Sequence, residues 1–192
     1  MSHVPVDALF IPLGIAVLTV SDTRGFDEDG SGDLLAAHLI ESGHNLMERR
    51  IVPDDIYQVR AVVSEWIARK EIQTILVNGG TGFTARDTTP EALVPLFDKA
   101  IEGYGELFRY YSLQTIGTST IQSRAVAGVA NQTLLFAMPG SPKACELAWE
   151  KIISLQLDSR TRPCNFVAMV LPSAPACSGR QVETTSHVSE RL

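Results

Sequence analysis

Directly after the apolar run Thr74-Ile75-Leu76-Val77-Asn78 the chain reads Gly79-Gly80-Thr81-Gly82, and a helix start at Thr89-Pro90-Glu91 follows within ten residues. A short β-branched and aliphatic run of this kind reads as a central strand buried on both faces. Three glycines in four residues admit backbone conformations closed to other side chains, so consecutive amides can turn inward toward an anion. Thr89 at the cap and Pro90 in the first turn mark the helix. Strand, glycine turn and helix in direct succession are the building unit of an α/β sheet. Neither Gly-x-Gly-x-x-Gly nor Gly-x4-Gly-Lys-Ser/Thr is matched, which disfavours a dinucleotide-binding or phosphate-loop nucleotide fold. On the residues alone two readings stay open: an anion-binding turn, or a tight turn joining two elements.

The flanking sequence extends the pattern. Gly14 to Val20 is an apolar first strand ending in the polar pair Ser21-Asp22, and open α/β sheets place chemistry at such strand tips. Gly25 to Gly32 reads as a loop, with Ser31 as the candidate cap of a helix from about Gly32 to Ser42. Asn45 to Val52 carries enough charge to be an edge strand, ended by Pro53. Asp54 or Asp55 caps a helix to about Arg69, with Ile56, Val59, Val62, Val63, Trp66 and Ile67 largely on one face. A short strand near Lys99 to Ile101 precedes a helix from Gly103 to Leu113. Thr118 to Arg124 reads as a short helix. Ala125 to Val129 and Thr133 to Met138 flank a turn at Ala130-Asn131-Gln132 and read as a hairpin. Ser141 to Ile153 is the last clear helix. The fold class predicted is a three-layer α/β/α, doubly wound and mostly parallel sheet with a C-terminal hairpin, in one domain over residues 1–170. From about Pro172 the composition turns to Ser, Pro, Ala, Thr and Gly, which predicts a disordered tail over residues 171–192.

Composition bounds the function classes. With 192 residues, 45% hydrophobic and 20% charged, the chain suits one domain with a full core. No apolar stretch approaches the roughly 20 residues that cross a bilayer, and the N-terminus lacks a basic region followed by a long apolar core. Cys145, Cys164 and Cys177 fit neither a disulfide framework nor a Cys-x-x-Cys metal site, so a cytoplasmic location is expected. His3, His38, His44 and His187 have no ligand spacing. The formal charge of −6 and the lack of a basic cluster argue against nucleic acid as a partner. A small anionic ligand needs only local amides and one or two cations.

Ser21 and Asp22 are placed to hydrogen-bond such a ligand, or to serve ordinary loop chemistry. Pro139-Gly140-Ser141 precedes a helix whose first amides could hold a phosphate, while Ser141 is equally an ordinary cap. Asp54 and Asp87 read, on residue type alone, as a helix cap and a turn former.

Thr19-Val20-Ser21-Asp22, Val52-Pro53-Asp54-Asp55, Gly79-Gly80-Thr81-Gly82-Phe83-Thr84 through Asp87-Thr88-Thr89-Pro90-Glu91, Ser123-Arg124 and Met138-Pro139-Gly140-Ser141-Pro142 occur in the order seen in molybdopterin-binding proteins. The chain resembles that family over roughly residues 12 to 168. It is most similar to the bacterial molybdenum cofactor biosynthesis protein B branch across Glu102 to Arg109, Gly117 to Ala130 and Thr161 to Phe166.

The resemblance implies an adenylyltransferase that joins the adenylyl group of ATP to the terminal phosphate of molybdopterin with Mg²⁺, releasing pyrophosphate. Asp54 and Asp87 match the family's two catalytic, metal-holding carboxylates. Ser21, Asp22, Gly79, Gly80, Thr81, Gly82, Ser123, Arg124, Pro139, Gly140 and Ser141 match its substrate-binding positions. Arg124 is implied as a phosphate partner, with a surface or subunit ion pair as the other reading. Relatives often carry Asn-Pro where this chain has Ser141-Pro142-Lys143. A homo-oligomer, a trimer or a dimer of trimers, is implied as well. The alternative is a pterin- or nucleotide-binding accessory protein of the same pathway that keeps the pocket without turnover. A damage-response or pyridine-nucleotide enzyme on the same fold is disfavoured, because no hydrolase or deamidase domain is visible.

Overall fold

The computed structural model describes residues 9–171, so the expected tail lies, apart from Leu171, outside the described residues. His3, Cys177 and His187 lie outside them too. Among the described residues, β1 (Gly14–Val20), β2 (Asn45–Val52), β3 (Thr74–Asn78), β4 (Lys99–Ala100), β5 (Val126–Ala130) and β6 (Thr133–Met138) form one sheet in the order β2-β1-β3-β6-β5-β4. β2, β1, β3 and β6 run parallel, while β5 is antiparallel to both β6 and β4. β5 and β6 are joined through Asn131 and Gln132, both at positive φ (47° and 64°), the conformation that a two-residue hairpin turn demands.

Side-chain alternation along the strands builds the three layers. Ile15 and Val17 of β1, Leu76 of β3 and Leu134, Phe136 and Met138 of β6 face one cluster. There they meet Leu35 and Leu39 of α1 (Gly30–Glu41), Phe108 of α4 (Glu102–Ile116), and Cys145 and Ala148 of α5 (Pro142–Ala148). The residues between, Ala16, Leu18, Ile75, Val77, Leu135 and Ala137, face the opposite cluster. Its lid is Val59, Val63 and Trp66 of α2 (Ile56–Ile67) with Ala92 and Leu93 of α3 (Thr89–Leu93). A period of two with apolar residues at every step requires cover on both faces, which is why the central strands read as continuous apolar runs. β2 lies at the edge, where Glu48 and Arg50 sit in an ion-pair network with Glu65, Arg69 and Glu71. Such charges blunt an exposed edge against pairing with another chain.

Several boundaries differ from the sequence expectation. α1 starts at Gly30 and is capped by Asp29, whose Oδ1 accepts the Gly32 amide at 2.9 Å; Ser31 lies inside the helix. Two glycines in a first turn are poor helix formers, so propensity pushed the expected start downstream. Gly32 is nonetheless required, since a Cβ there would come within 2.0 Å of Asp29 Oδ2. Of the two expected candidates for the cap of α2 it is Asp55 that serves, accepting the amides of Tyr57 and Gln58. The cap of α3 is Thr88, one residue before the expected Thr89. α4 is longer than expected at both ends, and Gly117–Gln122 continues it as a 3-10 turn. The last long helix is segmented: α5 gives way to a π turn over Trp149–Ile153 before α6 (Ser154–Leu157). A short α7 (Val167–Val170), which the sequence reading did not identify, packs Val167 and Val170 into the first cluster.

Candidate active site at the switch of strand order

From β1 the chain passes to β2 on one side and then crosses to β3 on the other, so the strand order reverses between β1 and β3. Adjacent connections diverge there to opposite faces and leave a crevice at the C-terminal strand ends. Ser21-Asp22 leave β1, Pro53-Asp54 leave β2, Gly79-Gly80 leave β3 and Pro139-Gly140 leave β6 at this same end.

The glycine turn is held close against its neighbours. The Gly79 amide donates to Met138 O at 3.0 Å, and Thr89 Oγ1 donates to Gly79 O at 2.8 Å. Gly79 and Gly80 have φ of +99° and +60°. A Cβ on Gly79 would lie 2.1 Å from Val20 O, and one on Gly80 would lie 2.4 Å from Thr89 Oγ1 and 2.7 Å from Asp54 Oδ2. A Cβ on Gly82 would lie 2.8 Å from Asp87 Oδ2. Glycine is thus needed here both for the left-handed backbone and to let two carboxylates press on one turn.

Asp54 Oδ1 accepts the amide of Thr88 at 3.1 Å and its hydroxyl at 2.9 Å, leaving Oδ2 facing Gly80. Asp87 Oδ2 accepts the Thr84 amide at 2.8 Å and its hydroxyl at 2.6 Å. Burial pushes the Asp87 carboxyl upward, but the Thr84 hydroxyl and amide, the Gly82 amide and the charge of Arg124 outweigh it and hold Asp87 below the ordinary carboxylate range. Asp22 is held low by its hydrogen bonds from the Arg86 side chain and from the Asp54 amide. Arg86 meets it through both carboxylate oxygens, Nε to Oδ2 at 2.9 Å and Nη2 to Oδ1 at 2.6 Å.

Arg124 is directed at the turn itself. Nε donates to Gly82 O at 2.7 Å, Nη2 donates to Asp87 O at 2.9 Å, Nη1 pairs with Glu91, and the guanidinium lies 5.1 Å from the Phe83 ring centroid. A contact from Arg124 to a ligand phosphate would come at the expense of these partners. The ion-pair reading of this residue applies within the chain, to Glu91. Thr81 and Asp87 are brought to one side of the molecule, since the Nε of the same guanidinium also lies 3.4 Å from Thr81 O.

Under the turn runs a polar chain that the sequence reading missed. Asn78 Nδ2 donates to Thr19 Oγ1 at 2.8 Å, Thr19 donates to Asp29 Oδ2 at 2.8 Å, and Arg49 closes the chain at 3.0 Å from Asp29. Asp29 is only 1% exposed, so its charge depends on these partners and on the Gly32 amide. An Asp directly before Gly-Ser-Gly was the available signal, but loop composition hid it. Gly140 O accepts from Arg24 Nη1 and Ser31 Oγ, both at 2.9 Å, which ties the β6 exit to the loop after β1. Ser21 Oγ accepts the Arg24 amide at 3.2 Å within that loop. Ser141 caps α5 through the Ala144 amide at 3.3 Å. Ser123, Pro139 and Ser141 line a cavity of about 440 Å³ between α4 and α5, together with Lys143 and Lys151.

Carboxylates on either side of a glycine turn, with amides, hydroxyls and arginines around them, suit the positioning of a phosphorylated substrate and a divalent cation. Comparison with known proteins shows which chains this one is similar to. Residues 16–159 match the family model described as "Probable molybdopterin binding domain". The chain is 59% identical over 157 residues, 82% of its length and 92% of the relative's, to molybdenum cofactor biosynthesis protein B of Escherichia coli strain K12. A crystal structure of a molybdenum cofactor biosynthesis protein B superposes with a TM-score of 0.75 at 40% identity, covering 77% of this chain and 92% of that one. The tungsten cofactor synthesizing protein MoaB of Pyrococcus furiosus superposes with a TM-score of 0.68 at 36% identity, covering 73% and 90%.

Proposed function

Since this chain belongs to the molybdopterin-binding domain family of molybdenum cofactor biosynthesis proteins, we propose that it transfers the adenylyl group of ATP to the terminal phosphate of molybdopterin. A terminal phosphate oxygen of the pterin attacks the α-phosphorus of ATP, the bond from that phosphorus to the bridging oxygen breaks, and pyrophosphate leaves. The observation that carries this reading is the pairing of Asp54 and Asp87 across one glycine turn, at Gly80 and Gly82 respectively. Bringing two polyanions into line is chiefly a matter of position and charge neutralisation, and this site is built from groups that do both.

The residues fit magnesium. Thr88 engages only Oδ1 of Asp54 and Thr84 only Oδ2 of Asp87, so each carboxylate keeps a second hard oxygen for a cation. Asp54 and Asp87 would hold the ion, which when bound neutralises phosphate charge. The amides of Gly80 and Thr81 and the Thr81 hydroxyl would bind the ligand, since the Gly79 amide is given to Met138 O and the Gly82 amide to Asp87; Ser21 and Asp22 would stand on one flank and Ser123, Pro139, Gly140 and Ser141 on the other. Leu107, Tyr110, Leu113 and Ile116 of α4 are exposed apolar side chains, which supports a homo-oligomer.

The test is incubation of the purified chain with molybdopterin, ATP and Mg²⁺, followed by detection of adenylylated pterin and pyrophosphate. Product lost in Asp54→Asn and Asp87→Asn with folding retained supports transfer. Tight pterin binding without any product identifies an accessory binder instead.

A further inference from the structure

The cations around the crevice differ in what holds them. Arg124 is committed to backbone carbonyls and Glu91, and Arg24 donates to Gly140 O from a half-buried position. Among the described residues the Arg86 guanidinium donates to Asp22 and to no backbone carbonyl, and its side chain is 67% exposed against 35% for Asp22. It sits where Asp22, Asp54 and Asp55 all act on its charge. Asp22 is itself tethered to the site, because its Oδ1 accepts the Asp54 amide at 3.1 Å.

An exposed arginine–carboxylate pair is worth little in water, so exchanging the carboxylate for another oxyanion costs little. A phosphate offers the same planar fork two oxygens and more charge. A polyanion entering between Asp22, Asp54 and Asp87 meets like charges, and the cation nearest Asp22 and Asp54 is the one most weakly restrained.

From this geometry we infer that Arg86 is an exchangeable phosphate clamp: it is parked on Asp22 in the free protein and transfers its two N–H donors to a substrate phosphate on binding. Asp22 is then the competitor that holds the clamp in place. Its release leaves a free carboxylate hydrogen-bonded to the Asp54 backbone, next to the carboxylates that face the glycine turn. This inference rests on the crevice being a phosphate site and on no assumption about adenylyl transfer.

A competitor and a clamp respond to mutation in opposite directions, whereas partners in a merely structural ion pair respond alike. Inorganic pyrophosphate titrated into the full chain in the presence of EDTA, followed by ³¹P NMR and calorimetry, reads phosphate affinity with no metal and no turnover. Arg86→Ala is expected to weaken binding about tenfold, the loss of one charge-assisted bidentate contact. Arg86→Lys is expected to recover part of it. Asp22→Asn is expected to tighten binding severalfold, and to do so by less in the Arg86→Ala background, where only the relief of its like charge remains. Equal weakening in Arg86→Ala and Asp22→Asn, unchanged affinity in Arg86→Ala, or no pyrophosphate binding by the parent chain overturns the inference. A chain that binds pyrophosphate with this opposite-sign pattern yet yields no adenylylated pterin removes the transferase reading and leaves the clamp standing.

Discussion

Asp54 and Thr88 are joined twice, through the amide of Thr88 at 3.1 Å and its hydroxyl at 2.9 Å, both to the same carboxylate oxygen. Thr88 stands at the N-cap position of α3 and gives its hydroxyl to Asp54 rather than to the helix, so the helix start and the carboxylate orient each other, and Oδ2 is left toward Gly80. Asn at position 54 can keep one acceptor for both Thr88 donors while losing the charge. Asp54→Asn is therefore expected to retain the fold and lose adenylyl transfer by about 100-fold or more. Thr88→Val keeps the amide bond and should cost about tenfold. Steady-state rates with matched circular dichroism and melting curves check both, and a fully active Asp54→Asn protein rules out the role given to this carboxylate.

Gly80 stands at φ +60° with no room for a methyl group. Gly80→Ala carries a left-handed backbone cost of about 1–2 kcal/mol and must also displace Thr89 or Asp54. Gly25, beside which a Cβ meets nothing within 4 Å, is the control, and Gly25→Ala is expected to be close to neutral. Urea unfolding of the two variants separates them; equal midpoints would refute the close packing at Gly80.

Arg124 holds three points on the turn and its flank, Gly82 O, Asp87 O and Glu91. Lysine has the charge but not the fork, so Arg124→Lys is expected to loosen the segment without unfolding the sheet. Amide hydrogen exchange should speed up across Gly82 to Asp87 and stay unchanged in β1 and β6, with KM raised more than kcat is lowered. Uniform exchange throughout the chain would argue against a local clamp.

His44 is buried, and its Nδ1 accepts the Leu13 amide at 3.2 Å, a bond that only the unprotonated nitrogen can make. Burial depresses its pKa from the ordinary 6.5, with the charge of Asp158 pulling weakly the other way. The unfolded chain therefore takes up a proton before the folded one does. The stabilisation is complete above pH 6.5 and is lost as pH falls from there through the lower folded value. Urea midpoints between pH 8 and pH 5 should show this slope, and His44→Asn, which retains an acceptor near the Nδ1 position but does not titrate, should flatten it. A parent protein with no slope in that window would place the neutral ring in doubt.

β1, β3 and β6 were legible in the sequence to the residue, because burial on both faces leaves apolar runs bounded by turn residues; β2 was legible too, as a charged edge strand ended by Pro53. The glycine turn was legible for the same local reason. Helix ends were less so: Asp29 lost to Ser31 as the expected cap because two glycines masked a cap whose side chain is held by Thr19 and Arg49, residues 10 and 20 positions away. The π turn at Trp149–Ile153 leaves no mark in an apolar period close to that of an α-helix.

Local pattern and ordered motifs sufficed to determine the α/β class, the strand positions, the glycine turn and the family to which the chain belongs. Only the tertiary structure decided that Asp54 and Asp87 face the same turn, that Arg124 is engaged with backbone carbonyls, and that Arg86 rests on Asp22. Arg124 lies 37 and 42 residues from the carbonyls it engages, and Arg86 lies 64 residues from Asp22. These relations depend on which strand lies beside which, a choice made by packing on both faces of the sheet rather than by the residues next in line.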